Sequence, residues 1–170
     1  MNKIVGYIGI AGFIICLIIM YATNLGERGL RNYDPDFRLL DMRFQYTAAD
    51  VGETFEKLGR DGRAAYRNFW ILDFVFIACF LIVMFAITDK IATNGWARNI
   101  LIFFSIARAG FDIIENGMLF YLSIIYPVQN SSLVTLSSWI TTSKYISLFI
   151  WMLGIAVMLL YNVINRKHSN

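Results

Sequence analysis

Near the middle of this 170-residue chain, an apolar stretch of spanning length carries Arg108, Asp112 and Glu115 at i, i+4 and i+7. On a helix of 3.6 residues per turn these three share one face, with Asn116 at its border and Ser105 extending it. A charged side chain at the centre of a membrane helix costs roughly 2.5–3.5 kcal/mol on insertion scales. The stripe is therefore expected to face the inside of a bundle, to pair within itself, or to meet water. Arg108 and Asp112 make a suitable intrahelical pair. Glu115 needs a further partner or a proton.

The spanning length is read from apolar runs of about 20 residues. Four stretches qualify: 4–21, 69–87, 100–126 and 145–164. Hydrophobic residues make up 58% of the chain, above the roughly 45–50% of soluble domains. The predicted architecture is all-α: an integral membrane four-helix bundle, one domain over 1–170, with a long, partly helical first loop (22–68) capping one side. Aromatic residues mark the span limits, with Tyr21, Trp70, Tyr126 and Trp139 at one set of ends and Tyr7, Trp96 and Tyr161 at the other, as in an interfacial belt. The first stretch has an apolar run of about 17 residues, longer than the roughly 7–15 of a signal-peptide core, and no small residue three positions before a cut after Ala22. It is expected to remain as a helix.

Within the first loop, Thr47 and Asp50 read as a capping box. Val51, Phe55 and Leu58 then form one apolar face, Gly59 is expected to end that helix, and Asp61 to cap a next one that runs through Ala64 and Tyr66 into the second span. The loop is expected to pack as an amphipathic cap or to lie in the lipid headgroups. Gly6, Gly9 and Gly12 recur every third residue in the first span and offer a close helix contact. Residues 127–143, rich in Ser and Thr and free of charge, read as a second outer loop holding the sequon Asn130-Ser131-Ser132.

Basic residues set the expected orientation. The first loop holds eight basic and eight acidic residues, against Lys3, Lys90, Arg98, Arg166 and Lys167 on the other side. A loop that folds as a unit translocates with less regard to charge. The charge-free segment 127–143 is the cleaner signal, so both termini are expected in the cytoplasm, in a plasma or inner membrane. The net charge is only +3, and without a Lys/Arg-rich run it excludes a nucleic-acid partner.

Chemistry is expected at the polar stripe. By helical rise Asp73 lies about 6 Å inside the second span, and Glu115 and Asn116 roughly 15 Å inside the third, depths that allow a shared pocket without requiring one. Lys144 opens the fourth span on the same side, and Asp41, Arg43 and Tyr46 of the first loop can lid it. The candidate set is Glu115 and Asp112 as acid or base, with Asp73, Arg108, Asn116, Ser105 and Lys144 as ligand-binding residues. Cys16 and Cys79 form no CxxC pair and read as packing residues. With one histidine, His168, neither a metal site nor a cofactor is expected. Nucleotide-binding and hydrolase motifs are absent from the sequence.

Three functions compete. One is binding or modification of a lipid-like or other hydrophobic small molecule at the stripe. Another is a non-catalytic membrane subunit or scaffold, joining a membrane protein partner or a second copy through the first loop. The last is an oligomeric proton or ion transporter. The order of spans, with its long first outer loop, resembles claudin-like proteins in topology. The paired loop cysteines and tryptophan motif of that family are missing here, so the resemblance implies no function.

Overall fold

A computed structural model describes residues 3–128 and 130–168, with 166–168 described by their backbone alone. The side chains of Arg166, Lys167 and His168, invoked above, lie outside the described residues. The described chain is helical, and no strand occurs among these residues. Its elements are α1 (Lys3–Ala22), α2 (Glu27–Leu30), a 3-10 turn (Leu40–Met42), α3 (Ala48–Ile91), α4 (Gly95–Ile125) and α5 (Ser131–His168). Three helical stretches are long and apolar enough to cross a membrane: Lys3–Leu30, Ala48–Ile91 and Ser131–Asn165. The helix α4 is not among them, because every long window within it includes at least three charged residues of Arg98, Arg108, Asp112 and Glu115.

One expected boundary changes. The expected outer loop 127–143 is helical from Ser131 onward, so α5 starts well before 145. Asn130 caps it by accepting from the Leu133 N–H at 3.0 Å. The hydroxyls that suggested a loop donate back to carbonyls four residues earlier: Thr135 to Ser131, Thr141 to Ser137, Thr142 to Ser138 and Ser143 to Trp139. Ser and Thr can satisfy their polarity inside a helix in this way. Gly59 breaks the helix as expected: it stands at φ 62°, and a second helical segment follows it and runs to Ile91, the two together making α3. Arg63 bridges the kink, donating to the Phe55 carbonyl at 2.8 Å while its guanidinium lies 4.5 Å from the Tyr126 ring.

The capping box forms as expected. Thr47 Oγ1 accepts from the Asp50 N–H, and the Asp50 carboxylate accepts from the Thr47 N–H at 2.7 Å. Val51, Phe55 and Leu58 are all buried. The first loop packs onto the bundle: Phe37, Leu39, Leu40 and Tyr46 join Met20, Tyr66, Trp70, Leu119 and Val134 in one apolar cluster. Phe37 stands edge-on to Tyr66, and Tyr66 stacks on Trp70 at 4.0 Å. The Tyr66 hydroxyl accepts from the Leu40 N–H at 2.9 Å, which ties the cap to α3.

The helix α1 packs chiefly on α3, and α4 packs on α3 and α5. Here the glycines matter. A Cβ on Gly9 would overlap the Ile82 side chain, and one on Gly12 would come within 2.6 Å of Cys79 Sγ. A second, smaller apolar cluster holds Met84, Leu101, Trp151 and Ile155. On α3, α4 and α5 alike, the residues between the two clusters are the polar ones: Asp73, then Arg108 to Asn116, then Thr141 to Lys144.

Candidate functional site

The polar layer closes around Lys144. Its ammonium lies 2.7 Å from Glu115 Oε2 and 3.0 Å from Asp112 Oδ1, and donates to the Asp41 carbonyl of the cap at 3.2 Å. Three elements thus meet on one cation. Asp112 takes its second partner from its own helix, with Arg108 at 2.6 Å. Glu115 takes its second from Thr141 on α5. Each side chain in this group is almost wholly buried, so the pairs act with little solvent screening.

Two extensions leave this centre. Toward the cap, the Tyr46 hydroxyl lies 2.6 Å from Ser137 Oγ and accepts from Thr141 at 3.4 Å, while the Tyr46 N–H donates to Ser138. Toward α3, Asn116 donates to Asp73 at 2.5 Å. Arg108 spreads its guanidinium over the Phe80 ring at 4.6 Å, a cation–π contact that covers it on one side.

Most of the expected site residues are therefore brought together: Arg108, Asp112, Glu115, Asn116, Asp73 and Lys144. Ser105 is buried one turn further along and donates to the Leu101 carbonyl at 2.8 Å. Of the expected lid, Asp41 and Tyr46 enter the cluster, whereas Arg43 turns outward to Asp50 at 3.6 Å. Burial raises the Asp41 carboxyl above its ordinary value. Nearby Asp112 raises it further, against Lys144 and Arg108, which lower it. The sequence reading missed Ser137, Ser138, Thr141 and Thr142, since it placed them in a loop.

Several buried polar atoms in this region have no hydrogen-bond partner: Asp41 Oδ1, Trp70 Nε1, Arg108 Nε and Nη1, and Asn116 Oδ1. Unpartnered buried groups are uncommon in proteins and ask for an explanation such as water or a ligand. Donors and acceptors occur together, and four carboxylates (Asp41, Asp73, Asp112, Glu115) face two cations (Arg108, Lys144). A further anion would be unwelcome here. A hydroxyl or amide, which both donates and accepts, matches the open valences.

Beside the cluster lies an apolar groove of about 470 Å³, lined by Phe44 of the cap and Tyr145, Ile146, Leu148, Phe149 and Met152 of α5. Tyr145 belongs to both features. Its ring is part of the groove and lies 5.4 Å from Lys144 Nζ, and its hydroxyl donates to the same Asp41 carbonyl at 3.0 Å. No group of His, Cys, Asp or Glu among the described residues could hold a metal ion. No family model, curated protein or solved structure matches the chain.

Proposed function

We propose that this is an integral membrane protein whose four long helices cross the bilayer, and that it binds an amphipathic small molecule with an uncharged hydroxyl- or amide-bearing head. Its termini then share one side, taken as cytoplasmic because the short connection 126–130 on the other side carries no charge. The membrane reading is supported by the three apolar helices and by outward-facing Ile4, Ile8, Ile14, Ile15 and Ile18 on α1, a surface too apolar for water. With its charges turned inward, α4 completes the bundle.

The observation that carries the binding reading is Tyr145, shared between an apolar groove and a buried polar cluster with unfilled valences. Apolar walls with a few convergent polar groups are the usual make-up of a small-molecule site. The tail would lie along Phe44, Phe149 and Met152, and the head would reach Lys144 and the Asp41 carbonyl once the Tyr145 ring turns aside. Acid–base turnover by Glu115 or Asp112 would further require Lys144 to release one of them.

The test is extraction of bound lipids from protein purified in mild detergent, read by mass spectrometry. Wild type should carry one enriched neutral amphiphile. Met152→Trp, which narrows the groove, should lose at least nine-tenths of it at an unchanged melting temperature. Equal recovery from both proteins would refute the reading.

A second reading, a non-catalytic membrane subunit or scaffold, is favoured by one observation. Asp112, Glu115 and Lys144 are already paired within the chain, which suits a core that only holds the cap in place. A stoichiometric partner or a stable homo-oligomer in mild detergent, with no enriched amphiphile, would favour it. A strictly monomeric particle would count against it.

A further inference from the structure

At the end of the bundle away from the cap, α1 and α3 part to leave a cleft of about 540 Å³ lined by Lys3, Gly6, Tyr7, Ile10, Ala86, Asp89 and Lys90. Its α1 wall is one helical face, at i, i+3, i+4 and i+7. Lys3 and Lys90 line it, both exposed, and Tyr7, Ile10 and Ala86 give it an open apolar wall. The one carboxylate in the wall, Asp89, is held by Arg98 at 2.7 Å. No described carboxylate pairs with Lys3 or Lys90. At the end of α3, the Ile91 carbonyl is covered by the Asn162 amide at 2.9 Å, which takes one competing acceptor out of play.

We propose that this cleft binds an anionic phospholipid of the facing leaflet, its phosphate between Lys3 and Lys90 and an acyl chain along Tyr7, Ile10 and Ala86. Charge complementarity selects the occupant. Among the described side chains at this end, the cations Lys3, Lys90 and Arg98 outnumber the one carboxylate, Asp89, beside a slot that is otherwise hydrocarbon. Basic residues at a membrane surface each favour anionic lipid by about fivefold, so the pair gives a preference on the order of tenfold or more over zwitterionic lipid. The proposal rests on the membrane reading above and is independent of the Tyr145 groove.

The experiment reconstitutes the full chain into vesicles of phosphatidylcholine alone or mixed with phosphatidylglycerol. Retained lipid is then counted by native mass spectrometry after mild detergent release. The expected result is about a tenfold enrichment of phosphatidylglycerol on wild type, lost in the Lys3→Gln/Lys90→Gln double variant and kept in Lys57→Gln, whose lysine pairs with Glu53 in the cap region. Insertion with no preference, or a double variant that keeps the enrichment, would overturn this proposal alone. A chain that alkaline wash strips from both vesicles would overturn the membrane reading and the lipid site together.

Discussion

Lys144 and Glu115 meet at 2.7 Å with at most 6% of either side chain exposed, and the same ammonium reaches Asp112 at 3.0 Å. Removing one partner of a buried pair is far more damaging than the net worth of the pair, because it strands a charge, typically at about 3–5 kcal/mol. Lys144→Met strands Glu115 and leaves Asp112 with Arg108 alone. It is expected to lower stability by about that amount in thermal or denaturant unfolding, and Lys144→Met/Glu115→Gln should recover part of the loss. Equal stability of the two variants would show that Glu115 does not depend on Lys144.

Asp41 makes a prediction of opposite sign. Its carboxyl is raised, first of all by burial, so the folded cap binds that proton more tightly than the unfolded chain does. Ionisation therefore works against the fold as pH rises above about 4, the ordinary carboxylate value. Asp41→Asn should be at least as stable as wild type at pH 7, with the difference shrinking toward pH 4. A variant clearly less stable at pH 7 would mean that the charge supports the cap.

Asp50 behaves as an ordinary cap carboxylate. The Thr47 hydroxyl, and after it the Thr47 N–H, lowers its value. Its contribution is present above about pH 4 and lost as pH falls through the lowered folded value. Thr47→Ala should cost about 1 kcal/mol near neutral pH, measured by urea unfolding. The cost should be smaller in acid, where the box is already weakened.

The α1–α3 contact depends on missing side chains. Gly12→Leu should push α1 off Cys79 and loosen it, read as faster proteolysis of α1. Gly110→Ala in α4, where an added Cβ meets open space, should be neutral or gain up to about 1 kcal/mol of helix propensity. If both variants behave alike, the glycines of α1 are not a packing device.

How much of this was written in the sequence follows from the range of each interaction. Arg108, Asp112 and Glu115 were legible because helical periodicity is local and charge in an apolar run stands out. The capping box at Thr47 and Asp50 was legible for the same reason, since four residues contain it. The joining of Lys144 to Glu115 depends on the register between α4 and α5, of which depth arguments showed only the side of the bundle. Segment 127–143 was misread because Ser and Thr signal loops by composition, whereas here their hydroxyls bond back along α5. The break at Gly59 was legible because glycine alone adopts a positive φ without strain, whereas Arg63 reaching back to the Phe55 carbonyl across it was not. Tyr145 gave no signal, because the first residue of an apolar stretch says nothing of which loop will pack against it.

The most direct measurement is a structure of the full chain in lipid nanodiscs, with attention to the space around Tyr145. The account predicts an elongated non-protein feature lying along Phe44, Phe149 and Met152, with one end within hydrogen-bonding distance of Lys144 or the Asp41 carbonyl. A groove filled only by bulk lipid, beside a cluster in which Trp70 Nε1, Asn116 Oδ1 and Arg108 Nε all find protein partners, would contradict it.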